Sequence, residues 1–320
     1  MKQIRVVIFG VALSILLGTS LGVFACNRVE IGASMLMYAP NRGATIDPKA
    51  DPRASEQSEV GVSQAFRVDV GPPAASLYVR VVEPPDAPSQ ESRVSPRGTI
   101  LFLHGIADSG LAMIPTAKSL AARGFRGVVV DSRGHGRSSG EFVTFGVQEC
   151  RDYRQVIDEL ARRGLLAAPL AVYGASFGAG IAAQLAGRDP RIRTAILLAP
   201  FSSMKAVALA RVQSLGLGWF FDPLTVERVF RRFQELTGCD PGEADAVGAQ
   251  RMRPTPVLIF HGSRDEVIPP SQSEEILRAA AAGSRRFLIP GATHDDWSEA
   301  GRRMLWEEGT RWLDEQMGGR

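Results

Sequence analysis

The chain has few cysteines, few histidines and a small net charge. Its 320 residues include 3 cysteines and 4 histidines, and no Cys-x-x-Cys pair occurs. The sequence therefore gives no support for a zinc site. The formal net charge is +3 at pH 7, and Lys2 and Arg5 near the N-terminus supply two of these charges. This balance gives no case for nucleic-acid binding.

The composition otherwise predicts a folded domain. Apolar residues make up 45% of the chain and charged residues 22%, which argues against global disorder. No internal repeat is visible. Cys150 falls on a helical stripe with Tyr153 and Ile157, so we expect it to be a small buried residue. Pairing of Cys150 with Cys239 in an oxidising compartment stays open.

The N-terminal segment has the layout of an export signal. Lys2 and Arg5 precede an uncharged run over residues 6–26, and a basic start followed by an apolar middle is typical of secretory signals. The run is also long enough to remain as a membrane-spanning helix. The letters "VFAC" at 23–26 resemble a bacterial lipoprotein signal, in which Cys26 is lipidated, although Phe24 is larger than that pattern prefers.

These three interpretations all export the rest of the chain. We expect a protein tethered to a membrane through its N-terminus, on the periplasmic or outer side of a bacterial cell, with secretion as the alternative. The polar, proline-bearing stretch over 27–65 predicts a tether or loosely packed extension. Residues 66–317 then form the main domain.

Short apolar runs alternate with helical segments after Gly98. The runs are "TILFLHG", "GVVVDSRG", "LAVYGAS", "TAILLAP", "TPVLIFHG" and "RRFLIPG". Each is apolar throughout, as is typical of parallel strands covered on both faces. Two earlier runs, "FRVDVG" and "SLYVRVVEPP", predict antiparallel edge strands. The alternation predicts a doubly wound, mostly parallel α/β sheet, which binds ligands at the carboxyl ends of its strands.

The interval over 201–254 is far longer than one crossover needs. It contains "LGLGWFFDP" and a helix with apolar residues from Val226 to Leu236 on one side. We interpret it as a small helical lid over the site, and the alternative is a packed helix pair with no role in binding. Trp219, Phe220 and Phe221 in this segment predict an apolar substrate pocket.

The stretch "LAVYGASFGAG" over 170–180 fits two glycine-rich motifs. As G-x-S-x-G it predicts the turn that carries a nucleophilic Ser176, and as G-x-G-x-x-A it fits a dinucleotide cradle. The cradle requires an acidic residue at the end of the next strand. That strand ends in Pro200, Phe201 and Ser202, so the nucleophile is favoured and no cofactor is expected.

A serine nucleophile needs a base, and the base needs an orienting acid. In this kind of sheet they follow the serine in the order acid, then histidine, in loops after later strands. Asp265 follows "TPVLIFHG" and His294 follows "RRFLIPG". The tetrahedral intermediate also requires two N–H donors. We expect these to be the backbone N–H groups of Phe177, directly after the serine, and Ile106, in the loop after an earlier strand.

These motifs together resemble the α/β-hydrolase superfamily. The resemblance rests on His104-Gly105, on "DSRGHGRSSG" over 131–140, on the G-x-S-x-G turn, and on Asp265 and His294. The resemblance covers about residues 66–316. Within the superfamily, the chain resembles the single-domain serine hydrolases near the prolyl-oligopeptidase and dienelactone-hydrolase branches. This resemblance implies Ser176 as nucleophile, His294 as general base and Asp265 as orienting acid. We expect His104 and His261 to be hydrogen-bonded turn residues, and Asp131 and Arg133 to brace the loop around His135.

The resulting expectation is a serine hydrolase that cleaves carboxylic esters through an acyl-enzyme. A small or lipid-like ester is the expected substrate, and no metal is expected. An aminopeptidase-like peptidase or a thioesterase on the same triad is the alternative, and a catalytically inactive binding protein of the fold is another. The oligomeric state stays open.

Overall fold

The computed structural model describes residues 28–38, 59–85, 95–106 and 108–318. The predicted leader, with Cys26, and most of the predicted tether lie outside these residues. Within the described ranges, none of the helices combines the length and the apolar character needed to cross a bilayer.

One eight-stranded sheet forms the centre of the described chain. Its spatial order is β1-β2-β4-β3-β5-β6-β7-β8. The strands are β1 (Gln64–Val70), β2 (Ala75–Val82), β3 (Thr99–Leu103), β4 (Arg126–Val130), β5 (Leu170–Ala175), β6 (Ile192–Leu198), β7 (Val257–Gly262) and β8 (Arg285–Ile289). Strands β3 to β8 pair in parallel, and β2 pairs antiparallel with β1 and β4. The predicted doubly wound, mostly parallel sheet is confirmed. Of the two strands predicted to be antiparallel edge strands, β1 lies at an edge and β2 does not, since β2 is flanked by β1 and β4.

Helices cover both faces of this sheet. They are α1 (28–37), α2 (Ile114–Ala121), α3 (Val147–Arg162), α4 (Phe177–Arg188), α5 (Met204–Ser214), α6 (Pro223–Thr237), α7 (Ala246–Met252), α8 (Pro270–Ala279) and α9 (Glu299–Met317). Helix α6 shows how the sequence sets such bounds. The Asp222 carboxylate accepts a hydrogen bond from the Thr225 N–H, and the helix ends at Gly238 in the left-handed region with φ of 68°.

The core lies on both sides of the sheet because the parallel strands β3 to β7 are mostly apolar and buried. One side packs β-strand residues such as Leu101 and Val172 against α3 and α4, and the other packs Phe102 and Phe260 against α2 and α9. Cys150 and Cys239 are both buried free thiols. Cys150 is packed in the first of these clusters, as expected.

The long interval over 201–254 divides into two parts. Helix α7 packs closely on α4. The contact leaves no room for a side chain at Gly187, where an added Cβ atom would lie 2.4 Å from the Ala249 carbonyl oxygen. Helices α5 and α6 instead contribute to a separate apolar cluster around Phe221, Val226 and Val229. Only α5 and α6 of this interval can therefore cover the site. They span fewer residues than the predicted lid over 201–254.

The predicted tether over 27–65 also differs from its expected loose packing where it is described. Residues 28–37 form α1, and Ala33 and Met37 on this helix are buried. Ala33 belongs to the same apolar cluster as Phe221 and Val229. The start of the described chain is thus part of the folded body, next to α5 and α6.

Candidate active site

Ser176 lies on a sharp turn between β5 and α4. Its φ of 51° and ψ of −115° are rare for a residue with a side chain and are strained. Its N–H donates to the Leu198 carbonyl of the neighbouring strand at 2.7 Å, which holds the turn against β6. The serine hydroxyl is thereby presented at the carboxyl edge of the sheet.

The glycines around Ser176 are required by close approach. A Cβ atom at Gly174 would lie 2.4 Å from the Gly178 carbonyl oxygen, and one at Gly178 would lie 2.3 Å from the Leu103 carbonyl oxygen. A Cβ atom at Gly180 would lie 2.2 Å from the Phe201 ring. The small residues that had suggested a phosphate cradle are therefore explained by the tight turn and by the packing of α4.

The structure brings the three predicted side chains into one hydrogen-bonded chain. Ser176 Oγ lies 2.8 Å from His294 Nε2, and His294 Nδ1 lies 2.7 Å from Asp265 Oδ2. Asp265 follows β7 and His294 follows β8, so both loops begin at the edge that carries Ser176. Because a carboxylate only accepts, His294 carries its proton on Nδ1 and leaves Nε2 free to accept from the serine hydroxyl.

Several donors converge on the Asp265 carboxylate. Its Oδ1 accepts from the backbone N–H groups of Val267 and Ile268, each at 2.9 Å. Burial alone raises the pKa of a carboxyl group, but hydrogen bonds from His261, His294 and Ile268 outweigh burial and hold the pKa of Asp265 well below its usual value. Asp265 is therefore ionised at any pH near neutrality.

His261 is a member of this site that the sequence analysis missed. It was expected to be a turn residue, but it is the fifth residue of β7, and its Nε2 lies 2.8 Å from the Ile268 carbonyl oxygen and 3.3 Å from Asp265 Oδ2. Both neighbours are acceptors, so Nε2 must carry the proton. The only sequence signal was its position four residues before the acid.

The two predicted oxyanion donors lie beside the serine. Phe177 is the first residue of α4, where an N–H group has no acceptor within the helix. Ile106 belongs to the loop after β3, and a Cβ atom at the adjacent Gly105 would lie only 3.8 Å from the Ser176 Cβ atom. Neither N–H donates a hydrogen bond to another described residue. Both residues line the cavity that Ser176 faces.

His104 holds the Ile106 loop in position. The Ser132 N–H donates to His104 Nε2 at 2.9 Å, so the Nδ1 proton of His104 donates to the Gly105 carbonyl at 2.7 Å. Burial lowers the pKa of His104, which keeps the ring neutral in this role. His104 is thus a hydrogen-bonded loop residue, as expected.

The "DSRGHGRSSG" segment is braced by buried charges, also as expected. Asp131 accepts from Arg80 Nη1 at 2.9 Å and from the backbone N–H of Gly110 at 2.7 Å. Arg133 pairs with Asp152 through two hydrogen bonds of 2.8 and 2.7 Å. These contacts fix the loop that carries His135, whose ring centroid lies 5.8 Å from that of Phe177.

A cavity of about 800 Å³ opens at Ser176 and His294. This volume is in the range of small-molecule sites, and most of the lining is apolar. Of the three predicted pocket aromatics, only Phe221 lines it. The turn between α5 and α6 directs Trp219 into solvent, with 78% of the residue exposed, and Phe220 packs against the Phe221 ring at 5.0 Å between centroids, away from the cavity.

The arrangement of strands, elbow and loops also occurs in solved structures. An esterase from Pyrococcus furiosus superimposes with a TM-score of 0.64 over 88% of this chain and 98% of its own, at 17% sequence identity. The chain therefore has the α/β-hydrolase fold.

Sequence comparisons agree with this assignment. The family model described as "Serine aminopeptidase, S33" matches residues 94–237 of this chain. The chain is similar to a monoacylglycerol lipase of Mycolicibacterium smegmatis, with 24% identity over 258 residues, or 68% of this chain and 88% of the lipase. It is also similar to the esterase YjfP of Escherichia coli, with 28% identity over 223 residues, or 64% of this chain and 86% of that protein.

Proposed function

We propose that this α/β-hydrolase cleaves carboxylic esters through a serine-bound acyl-enzyme. The observation that carries the proposal is the continuous chain of hydrogen bonds from Ser176 Oγ through His294 to Asp265. This is the arrangement that a weak serine nucleophile requires, with a base in contact and an acid behind the base.

The proposed reaction has two halves. Ser176 Oγ attacks the ester carbonyl carbon while its proton passes to His294 Nε2, and the carbonyl oxygen becomes an oxyanion between the N–H groups of Ile106 and Phe177. The intermediate collapses, the C–O bond to the alcohol breaks, and His294 gives its proton to the departing alcohol. Water then attacks the acyl-enzyme, His294 takes its proton and returns it to Ser176, and the carboxylic acid is released.

Asp265 supports both halves by its charge. When His294 accepts a proton the ring becomes cationic, and the carboxylate at 2.7 Å from Nδ1 stabilises that cation. The same contact fixes the ring orientation, with Nε2 directed at Ser176.

Esters are favoured over peptides by the character of the cavity. Aliphatic and aromatic side chains make up most of its wall, and α1, α5 and α6 contribute several of them. The acidic residues of that wall are Asp108 and Asp295 among the described residues. The names of two relatives, a monoacylglycerol lipase and an esterase, agree with this preference. The family model for serine aminopeptidases keeps a peptidase as the second candidate, in which Asp108 or Asp295 would bind the substrate's amino group.

A substrate panel separates these candidates. Purified protein is assayed with p-nitrophenyl esters, with an acyl thioester and with aminoacyl p-nitroanilides, and each rate is compared with that of Ser176→Ala. We expect the esters to have the highest kcat/KM and Ser176→Ala to reduce the rate by at least about 10⁴-fold. Faster turnover of the anilides would replace the ester proposal by the peptidase. Absence of any turnover by folded protein would favour an inactive member of the fold.

A further inference from the structure

Helix α1 contributes to the catalytic cavity although it lies outside the residues matched by the family model, 94–237. Gly32, Met35 and Leu36 of this helix line the same cavity as Ser176 and His294. The segment was expected to be a tether or loosely packed extension. The wall of this cavity therefore includes residues that precede the matched range.

Polar contacts hold the first turn of α1. The Arg28 guanidinium donates to the Phe220 carbonyl at 2.9 Å and lies 3.6 Å from the Asp222 carboxylate. Glu30 pairs with Arg232 of α6 at 2.8 Å. These contacts join the start of α1 to the turn between α5 and α6 and to α6 itself, which also contributes to the cavity lining.

Backbone contacts hold the other end of α1. The Val143 N–H donates to the Met37 carbonyl at 2.7 Å. Tyr38 pairs with Phe142 as a β-bridge, and their rings stack with centroids 6.0 Å apart. Because it is attached at both ends to different parts of the domain, α1 is a fixed wall and not a tail resting on the surface.

The middle of α1 approaches α6 closely enough to require glycine. A Cβ atom at Gly32 would lie 2.6 Å from Val229 Cγ2 and 2.9 Å from the Phe221 ring. The close approach brings the backbone of α1 against side chains that line the cavity themselves. The wall beside Gly32 is consequently continuous between α1 and α6, and it is apolar.

We propose that α1 is one wall of a subsite for an apolar chain, and that the enzyme prefers esters whose chain is long enough to contact Met35 and Leu36. The inference rests on the proposed ester hydrolase function and adds the substrate class to it. Met35 is 60% exposed in the empty cavity, so a bound chain covers apolar surface that is otherwise in contact with water. Each buried methylene contributes about 0.8 kcal/mol, which is about a fourfold change in kcat/KM.

The test uses the full chain and two matched substitutions. Met35→Ser removes an apolar side chain from the cavity wall. Met252→Ser makes the same change on α7, where Met252 is 81% exposed and is not part of that wall. Both methionines are exposed, so neither change disturbs the core, and thermal melting checks this. One set of assays uses p-nitrophenyl esters from acetate to palmitate. A second set uses acetates of alcohols of rising length, followed by acid release, and identifies which side of the ester bears the chain.

We expect kcat/KM of the wild type to rise with chain length in one of the two sets. Met35→Ser should lower kcat/KM for the long chains by about tenfold and leave the acetates with short alcohols within about twofold, while Met252→Ser behaves as the wild type. Equal length dependence in Met35→Ser and the wild type overturns the subsite but leaves the ester hydrolase standing. No hydrolysis of any ester overturns the proposed function, and the subsite with it.

Discussion

His261 contacts the Asp265 carboxylate from within the sheet, with its Nε2 atom 3.3 Å from Asp265 Oδ2. The same oxygen accepts from His294 Nδ1 at 2.7 Å. Asp265 is thus held between two imidazole rings, one that is completely buried in β7 and one at the cavity. The buried ring acts through the acid and not on the substrate, so His261 is a positioning residue.

Replacement of His261 should weaken catalysis without weakening substrate binding. His261→Phe removes an N–H group that donates to the Ile268 carbonyl and contacts the Asp265 carboxylate, so we expect kcat to fall about 10- to 100-fold with little change in KM. The pKa of Asp265 should rise when this donor is lost. As the pH is lowered, the variant should therefore lose activity at a higher pH than the wild type does. Kinetics from pH 4 to 8 measure both effects.

His261→Gln is the matched control because it keeps an N–H donor on a side chain of similar reach. It should retain more activity than His261→Phe. If His261→Phe has wild-type kcat and an unchanged pH profile while folded, His261 does not position Asp265.

His135 should make stability decline in mild acid. Its Nδ1 proton donates to the Arg133 carbonyl at 2.8 Å, and its Nε2 has no hydrogen-bond partner among the described residues. Burial lowers the pKa of His135 to about 3. Between the ordinary histidine pKa of about 6.5 and this value, the unfolded chain binds a proton that the folded chain does not, so stability is lost as the pH falls.

The His135 contribution amounts to about 2 kcal/mol of unfolding free energy between pH 7 and pH 5. Urea unfolding at the two pH values measures it. His135→Asn has no titrating group there, so its loss over the same interval should be smaller by that amount, whatever its stability at pH 7. Equal losses of unfolding free energy in the wild type and His135→Asn would show that His135 binds its proton equally well in the folded and unfolded states.

Gly178→Ala should disable the site through the backbone. The added Cβ atom meets the carbonyl oxygens of Leu103 and His104 at 2.3 and 2.6 Å, and these atoms belong to the strand and loop that carry Ile106. We expect a loss of about 1–3 kcal/mol in stability and a larger relative loss in kcat, because the proposed oxyanion donors separate. Gly218→Ala is the control, since no atom lies within 4 Å of its new Cβ. Wild-type kcat in Gly178→Ala would contradict the assignment of the Ile106 loop.

The sheet and the order of the three site residues could be predicted from the sequence because their signals are local. Each parallel strand contains a short apolar run, and Ser176, Asp265 and His294 each follow the end of such a run. Since parallel strands end at one edge, Ser176, Asp265 and His294 had to lie near one another. The glycine spacing around Ser176 likewise reflects contacts within a single turn and its neighbouring strand.

Other parts of the site depend on contacts that sequence patterns do not record. Helix α1 is short and is followed by a polar, proline-bearing stretch, and its packing against α6 depends on Gly32 meeting Val229, far along the chain. The sequence places His261 at the end of a strand and gives no sign of its partner. The conformation of the loop after β7 brings the Asp265 carboxylate into contact with the His261 ring. Trp219 was predicted to line the pocket because it is aromatic, but the direction of a side chain at a turn is set by the turn.

The export prediction concerns residues outside the described ranges and needs its own experiment. If Cys26 is lipidated, cells expressing the full chain should incorporate labelled palmitate into it, and Cys26→Ser should abolish incorporation. Cys239→Ser is the control, since Cys239 is a buried thiol within the folded domain. Equal labelling of wild type and Cys26→Ser would refute lipidation at Cys26.

Labelling with a fluorophosphonate probe is the most direct test of Ser176 as the nucleophile. Such probes react with an activated serine, and their use requires no knowledge of the substrate. We expect the wild type to be labelled with one probe per chain and mass spectrometry to locate the probe on Ser176. Ser176→Ala should be unlabelled. Ser214→Ala, a change on α5 away from the triad, should be labelled as the wild type is. A folded wild type that resists the probe, or a probe attached to another serine, would contradict the assignment of Ser176 as the nucleophile.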